Sequence, residues 1–410
     1  MKYFIMKRGC CVLLFICISC SIIWAQDTCT FMSYNVLNFD NTGNNKENFL
    51  VTVIESVHPD ILVVQELIEL SGANRLFDSV ISKIDTNYAM GTFINSYDTD
   101  NGIFYRKDKF DFISNTPVKT ALRDINQFKL IHKSSDEIFY IYSLHLKASS
   151  GGENEVLRAG EVDSLRKSTA LLPDSANFII CGDFNIYGEN EAAYIALLDS
   201  SSNGFVIDNL EDVLTSTWNN SINAPYHTQS PRVRSFGGGA TGGMDDRFDM
   251  MLYSKAINAS GGMECFVGSL KAIGNDGNHF NDSINSLPNT SVTVDVANAL
   301  HYASDHIPIS QIFIFPEGEK DTTVIAISNT IADEFNVYPN PVNTFLTIRG
   351  ITSPTLFYIT DIQGKLVRSI DIPIINSTTI DLSDLQNGMY FLTGKSYNGI
   401  SVKKVIKEGN

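Results

Sequence analysis

The sequence predicts an α/β domain at residues 26–315 followed by a small all-β sandwich. Short apolar runs typical of buried strands alternate with helical patterns up to about residue 315. After Pro316 the composition changes, and residues 332–410 show alternating strands and turn pairs without a helical period. A chain of 410 residues with 43% hydrophobic content can build more than one core.

Residues 1–25 have the pattern of a secretory signal peptide. Lys2, Lys7 and Arg8 form a basic start, an apolar stretch runs over 11–24, and Ala25 is a plausible cleavage point. The stretch is too short for a stable membrane span. The formal charge of -16 disfavours non-specific nucleic-acid binding, but a bound cation could still recruit a polyanion.

Strands and helices alternate along the first domain. The predicted strands are 31–36, 60–65, 102–105, 138–146, 178–181, 247–253 and 307–315. The predicted helices are 48–57, 73–84, 154–172 and 189–198. Residues 217–243 are predicted to be irregular and to end in a flexible glycine-rich rim loop, and 268–300 to be a polar loop. Cys181 is predicted to lie in the core, and a Cys29–Cys265 pair stays open.

Several predicted strands end in polar residues of similar chemistry. Strand ends that gather at one edge of a sheet form the usual crevice for a site. Oxygen ligands suit Mg²⁺, Mn²⁺ or Ca²⁺, and no Cys/His cluster has zinc spacing. Taken singly, each residue could be a turn, cap or surface group; together they predict a hydrolytic site. These residues are Asn35, Glu66, His145, Asp183, Asn185, Arg247, Asp249, Asp305 and His306.

Six short motifs stand in the order seen in the endonuclease/exonuclease/phosphatase superfamily, which the chain resembles over residues 28–315. The motifs are Ser33-Tyr34-Asn35-Val36, Gln65-Glu66, Ser143-Leu144-His145-Leu146, Gly182-Asp183-Phe184-Asn185, Arg247-Phe248-Asp249 and Ser304-Asp305-His306. The resemblance implies a four-layer sandwich of two mixed β-sheets flanked by helices. It also implies in-line displacement at phosphorus with a divalent metal, Mg²⁺ or Mn²⁺ and alternatively Ca²⁺.

The resemblance also implies roles for single residues. Glu66, Asn35 and Asp305 would bind the metal. Asp183 would orient or deprotonate water, and Asn185 would position it or the phosphate.

Two histidines would face the phosphate. The resemblance implies that His306, held by Asp249, contacts the scissile phosphate and that His145 is the second histidine. Asp98 and Asp100 are candidates by position for the acidic partner of His145.

Arg106 and Arg158 are further candidates for contact with the substrate phosphate. They could equally be surface charges, and the two interpretations carry equal weight.

The C-terminal residues 332–410 resemble the type A sorting domain of the type IX secretion system of Bacteroidetes. The resemblance is carried by 335–342, 358–365, 385–391 and 403–407. It implies export across the outer membrane through the type IX machinery, with residues 316–331 as a linker. An adhesive or carbohydrate-binding sandwich is the lesser alternative.

The sequence therefore predicts a secreted or cell-surface phosphodiester hydrolase, monomeric, and most simply an extracellular nuclease. The alternative is a phosphatase, or a sphingomyelinase or phospholipase-type hydrolase of lipid or small phosphoesters. A non-catalytic surface protein of this fold is disfavoured, because Glu66, His145, Asp183, Asn185 and His306 are all present.

Overall fold

The computed structural model describes residues 26–215, 217–258, 262–316, 335–351, 355–361, 366–372, 377–396 and 399–409. The predicted signal peptide at 1–25 and nearly all of the predicted linker at 316–331 lie outside these residues. In the part of the chain that the structure describes, no helix is both long and apolar enough to span a membrane.

The first domain alternates strands with helices, as predicted. Its strands are β1 (Gln26–Phe39), β2 (Ile61–Leu67), β3 (Tyr88–Met90), β4 (Asp100–Arg106), β5 (Phe110–Val118), β6 (Ile125–His132), β7 (Glu137–His145), β8 (Asn177–Asp183), β9 (Val206–Ile207), β10 (Asp249–Ser254), β11 (Glu264–Cys265), β12 (Lys271–Ala272) and β13 (Ile309–Pro316). Its helices are α1 (Glu47–Val57), α2 (Glu69–Leu76), α3 (Ser82–Ile84), α4 (Gly152–Thr169), α5 (Ala192–Leu198) and α6 (Val294–Ala303), and a π-helical turn (Phe77–Ile81) joins α2 to α3.

These strands form two mixed sheets. One has the order β11-β13-β1-β2-β4-β3, with β12 also on β13, and the other has the order β5-β6-β7-β8-β10-β9. Each sheet contains one parallel pair, β1 with β2 and β7 with β8, joined by the crossover helices α1 and α4. The carboxyl ends of the parallel strands therefore lie at one edge of each sheet.

Alternate side chains of the strands fill three apolar layers. Phe31 and Val63 of the first sheet share a core with Ile179 of the second sheet, between the two sheets. Their strand neighbours point the other way, and Leu62 packs with α1, α2 and α6. Ile180 packs with α4 and α5 on the outer face of the second sheet. The predicted four-layer sandwich is confirmed.

Several elements differ from the sequence prediction: the short strands β3, β9 and β11 were not predicted, and the helix predicted at 73–84 is divided by the π-helical turn. Two larger regions differ as well. Residues 268–300 were predicted to be a loop, but α6 begins at Val294, where the Thr293 side chain accepts a hydrogen bond from Val296 N. Strands β5 and β6 were not predicted. Most residues of β5 are half-buried or exposed, so the strand lacks a continuous apolar run.

The C-terminal residues form two antiparallel sheets, as expected for a small sandwich. The strands are β14 (Asn336–Tyr338), β15 (Phe345–Arg349), β16 (Thr355–Asp361), β17 (Leu366–Ile372), β18 (Ser377–Asp381), β19 (Gly388–Ser396) and β20 (Gly399–Lys407). The sheets have the orders β14-β15-β18 and β17-β16-β19-β20. Leu346, Phe357 and Leu392 lie in the core between them.

Cys29, Cys181 and Cys265 are buried, and no disulfide joins any two of them. Cys29 and Cys265 pair with Phe313 of β13 from opposite sides. Two strand spacings, roughly 9–10 Å, therefore separate their backbones, which is beyond the reach of a disulfide. The pairing that the sequence left open is absent.

Candidate active site

The candidate site lies where the central strands of both sheets end. In the first sheet, Asn35 of β1 stands in register with Gln65 of β2, directly before Glu66. In the second sheet, Asp183 of β8 is in register with both His145 of β7 and Asp249 of β10. The topology therefore brings together side chains that are far apart in sequence, as the strand-end pattern predicts.

Unusual backbone geometry shapes these strand ends. The β1–β2 register shifts after Asn35, and Leu37 and Asn38 have φ of 50° and 47°. Glu66 has φ of 63°. Non-glycine residues rarely adopt such angles, and they cluster at functional sites. Here they let Asn38 N donate to Glu66 Oε2 at 2.9 Å.

Gly182 is required where β8 meets β7. Its φ is 135°, and a Cβ at this position would lie 2.0 Å from Leu144 O. A side chain here would separate the parallel pair and move Asp183 away from His145.

Asn35 connects the carboxylates of the two sheets. Its Nδ2 donates to Glu66 Oε1 at 2.8 Å and to Asp183 Oδ2 at 3.1 Å. Its Oδ1 accepts from Leu37 N at 3.0 Å. Asn35 was predicted to be a metal ligand. In this arrangement its nitrogen faces the two carboxylates, and its oxygen accepts one hydrogen bond from the backbone.

Asp183 is the central carboxylate. Its Oδ1 accepts from Asn185 N at 3.1 Å. Its Oδ2 lies 3.5 Å from Nε2 of both His145 and His306. Asn185 also donates from Nδ2 to Leu146 O at 3.3 Å. Asp183 therefore lies between the two predicted histidines, and Asn185 lines the same cleft.

Asp249 contacts the predicted histidine His306, with 2.7 Å between Asp249 Oδ2 and His306 Nδ1. Arg247 pairs with Asp208, at 2.9 and 3.0 Å, and leaves Asp249 to the histidine. On the other side of the ring, the Gln229 amide lies 2.6 Å from His306 Nε2. The imidazole is therefore held from both ends.

His145 has no acidic partner on its Nδ1, which is buried without a hydrogen bond in the described chain. The two candidates from the sequence are engaged elsewhere. Asp98 accepts from Arg123, and Asp100 accepts from Ser96 N at 2.6 Å. His145 Nε2 lies 3.9 Å from Glu66 Oε1.

The cleft in front of these groups has a volume of about 270 Å³. Predicted residues and new ones line it together. Among the described lining residues none is lysine or arginine. The lining consists of Glu66, His145, Ala148, Ser149, Asp183, Asn185, Tyr187, Gln229, Ala240, Phe248, Asp305 and His306.

Burial and like charges perturb the titration of the site. Burial raises the pKa of Glu66, and the nearby Asp305 carboxylate adds to this rise. Burial raises the pKa of Asp183 to about 7, with Asp249 and Glu66 adding to it against the pull of His306. Burial alone would lower the pKa of His306, but Asp249 and Asp183 hold it well above its usual value.

The donor set fits a divalent cation. The ligand atoms of Glu66, His145 and Asp183 lie within 4.8 Å of one another. Asp305 lines the same cleft, and its Oδ1 is buried without a hydrogen-bond partner in the described residues. Closely spaced carboxylates favour a hard cation such as Mg²⁺ or Mn²⁺. Among the described residues, Glu66 and Asp183 form ion pairs only with histidines. Lys46 and Arg232 interact with Asp305 electrostatically from nearby.

The two arginines proposed for phosphate contact lie elsewhere. The Arg106 guanidinium pairs with Asp108 at 2.9 Å. The backbone N–H of Arg106 donates to Asp60 O, just before the first residue of β2, so Arg106 lies at the sheet edge opposite Glu66. Arg158 is fully buried and donates to Glu191 at 2.8 and 2.9 Å.

Arg158 instead builds the cleft wall, because its Nη1 donates to Lys147 O and Ser149 O, each at 2.9 Å. Both arginines therefore serve structure, and the prediction of phosphate contact is wrong for this arrangement.

Three cleft residues escaped the sequence analysis. Gln229 lies in the irregular stretch 217–243, where no periodicity signals a site. Tyr187 and Ser149 follow predicted elements by a few residues, in loops whose direction the sequence leaves open. A search for polar residues close after each strand end would have included Ser149 and Tyr187, but not Gln229.

Comparison with known proteins gives two family matches. Residues 32–306 match the model of the Endonuclease/Exonuclease/phosphatase family. Residues 336–408 match the Secretion system C-terminal sorting domain, which indicates export to the cell surface or beyond. No curated protein matches the chain significantly.

Solved structures resemble the first domain. TDP2 from D. rerio, complexed with single-strand DNA product, is 18% identical with a TM-score of 0.48, covering 70% of this chain and 98% of that one. An endonuclease/exonuclease/phosphatase family protein from Bacteroides thetaiotaomicron is 16% identical with a TM-score of 0.45, covering 71% and 99%. The human Nocturnin catalytic domain with bound sulfate is 18% identical with a TM-score of 0.45, covering 71% and 97%.

Proposed function

The chain belongs to the endonuclease/exonuclease/phosphatase family, and from that membership we propose that it is an exported, divalent-cation-dependent phosphodiesterase that cleaves nucleic acid. The observation that carries the proposal is the position of Asp183, with Oδ2 3.5 Å from Nε2 of both His145 and His306. A base between two phosphate-facing imidazoles suits attack of water at phosphorus.

Each residue of the site has a part in this chemistry. Asp183 accepts the proton of the attacking water while the Asn185 N–H holds its other oxygen. His306, oriented by Asp249, stabilises negative charge that develops on the phosphate oxygens. A bound Mg²⁺ or Mn²⁺, held by Glu66 and Asp305, supplies Lewis-acid polarisation of a phosphoryl oxygen.

The test is nicking of supercoiled plasmid by the full chain with Mg²⁺ or Mn²⁺, against EDTA. The matched variants are Asp183→Asn, in the cleft, and Asp111→Asn, an exposed carboxylate paired with Lys133. We expect cation-dependent nicking that Asp183→Asn abolishes and Asp111→Asn leaves intact. Nicking that survives Asp183→Asn would contradict the assigned site.

A second candidate substrate is a small or lipid-derived phosphoester. It is favoured by the charge of the cleft, whose described lining holds no lysine or arginine. Asp245 and Asp246, bridged by Asn219 at 3.1 and 3.5 Å, add negative charge close by. Such a surface repels long polyanions. Hydrolysis of bis-p-nitrophenyl phosphate or p-nitrophenyl phosphate without plasmid nicking would select this candidate.

A further inference from the structure

Residues 233–243, which we call the glycine loop, are tied to the body of the domain. The sequence predicted a flexible rim here. Instead, Arg232 O accepts a hydrogen bond from Gly243 N at 3.2 Å and closes the loop at its base. Ser230 Oγ donates to Ala240 O at 3.0 Å. The loop therefore has a defined path past the cleft.

The Arg232 side chain fixes the outer part of the glycine loop. It is 1% exposed, and its Nη1 donates to Phe236 O at 2.7 Å. Its guanidinium carbon also lies 4.4 Å from the centre of the Phe236 ring. Phe236 in turn packs on His301 and Tyr302 of α6, with ring centres 5.1 and 5.4 Å apart.

The glycine loop reaches the site through one peptide group. Ala240 N donates to Asp305 Oδ2 at 2.6 Å. The other oxygen, Oδ1, is buried and has no hydrogen-bond partner in the described residues. One oxygen is therefore held by the backbone, and the other is open to a ligand. The buried Arg232 acts on Asp305 electrostatically but makes no hydrogen bond to it.

Gly239 makes this contact sterically possible. It has φ of +80°, and a Cβ at this position would lie 2.6 Å from Asp305 Cγ and Oδ2. Its neighbour Gly238 has a similar φ of +86°, but a Cβ there meets nothing within 4 Å. The two positions share the same backbone requirement and differ in their approach to Asp305.

We propose that the Gly239–Ala240 peptide is a positioning element of the cation site. It holds Asp305 Oδ2, so that Asp305 presents Oδ1 as a single-oxygen ligand to a divalent cation. Hydrogen bonds that orient ligands in this way commonly change metal affinity 10- to 100-fold. The inference rests on the cation requirement of the proposed function.

The test compares Gly239→Ala with Gly238→Ala in the full chain by calorimetric titration with MnCl₂, without substrate. We expect Gly239→Ala to weaken Mn²⁺ binding at least tenfold and Gly238→Ala to change it less than twofold. Both substitutions carry the strain of a positive φ, so the difference isolates the contact with Asp305. Equal affinities for the two variants would overturn the inference.

Two further measurements distinguish a failure of the inference from a failure of the proposed function. If Gly239→Ala fails to fold, Ser230→Ala removes the hydrogen bond to Ala240 O, in the peptide group directly after Gly239–Ala240, and so loosens Ala240. It should weaken Mn²⁺ binding several-fold, and unchanged affinity would overturn the inference. A wild-type chain that binds no Mn²⁺ would overturn both the inference and the cation requirement of the proposed function. If the wild-type chain binds Mn²⁺ and the two glycine variants bind it with equal affinity, only the inference is overturned, and the cation requirement of the proposed function stands.

Discussion

Two groups of acidic and imidazole side chains lie at opposite ends of the central strands. The cleft cluster consists of Glu66, His145 and Asp183, and the basal cluster of Asp27, Cys29 and His132. In each cluster the ligand atoms lie within 4.8 Å of one another. Residue types alone would therefore suggest two equivalent sites.

A lysine side chain distinguishes the basal cluster from the cleft cluster. At the basal cluster, Lys109 Nζ lies 2.9 Å from Asp27 Oδ1 and 3.1 Å from Asp60 Oδ1. Burial alone would raise the pKa of Asp27, but His132 and Lys109 outweigh burial and lower it. In the cleft, burial raises the pKa of Asp183 to about 7. The basal cluster already contains its cation. The comparison teaches that the lack of a paired lysine or arginine, rather than residue type, distinguishes the cleft carboxylates Glu66 and Asp183 from the basal cluster.

The largest expected effect tests whether chemistry is confined to the cleft cluster. Asp183→Asn should lower the rate of phosphodiester hydrolysis by at least about 10³-fold, because the base for water is lost. Asp27→Asn should leave the rate within about twofold and cost about 1 kcal/mol of stability, the upper end for a partly exposed pair. Rates on a phosphodiester substrate and urea unfolding measure both. If Asp183→Asn and Asp27→Asn lower the rate of hydrolysis to a similar extent, the chemistry is not confined to the cleft cluster.

Removing the lysine should make the basal cluster resemble the cleft. Lys109→Met leaves Asp27 and Asp60 without their cation and should cost roughly 2 kcal/mol, since both pairs are only partly buried. Lys133→Met, at the exposed pair with Asp111, should cost less than about 0.5 kcal/mol. Fluorescence of the buried Trp218 during urea unfolding reports on this domain. Equal losses of stability in Lys109→Met and Lys133→Met would mean that Lys109 does not neutralise the carboxylates of the basal cluster.

Glu161 is a buried carboxyl outside both clusters. It accepts a hydrogen bond from Lys147 N at 2.8 Å. Burial raises the pKa of Glu161 to about 7. The folded state therefore keeps a proton that the unfolded chain releases near pH 4.5, and stability is lost as the pH rises towards and past 7. Glu161→Gln should match the wild type at pH 4 and be about 2 kcal/mol more stable at pH 8.

The control for this pH series is Glu155→Gln, an exposed position on the same helix. Its stability should follow the wild-type pH curve throughout. If the Glu161→Gln and wild-type curves run parallel from pH 4 to pH 8, the uncharged state assigned to Glu161 is wrong.

The smallest effect is expected at Arg106, which lies at the basal edge with Asp108. Arg106→Ala should change the rate of hydrolysis less than about twofold and stability by less than about 1 kcal/mol. A tenfold loss in kcat/KM on a phosphodiester substrate would return Arg106 to the substrate site.

The strand-end residues were predictable from the sequence for a physical reason. Buried parallel strands appear as apolar runs, and their carboxyl ends share one edge, so Glu66 and Asp183 were expected to converge. The same runs predicted an α/β domain, and the resemblance of the six motifs to the family implied the four-layer sandwich. The sequence placed Asn35 at this edge, but only the coordinates show that its oxygen accepts from Leu37 N while its nitrogen faces Glu66 and Asp183.

The missed features depend on long-range packing. Gln229 reaches His306 across 77 positions of sequence, and the contact of Ala240 with Asp305 spans 65. Arg158 resembled a free cation in sequence, but its partner Glu191 lies 33 positions away on another element. Local patterns such as periodicity and caps carry no information on such pairings.

The position of β13 between Cys29 and Cys265 has a consequence for the life of an exported protein. Burial raises the pKa of the Cys29 thiol, and it raises that of Cys181 to about 12, so both stay protonated at neutral pH. Protonated, shielded thiols react slowly with oxidants and with other disulfides. The structure of this domain therefore includes no disulfide that a reducing environment could break at Cys29 or Cys181.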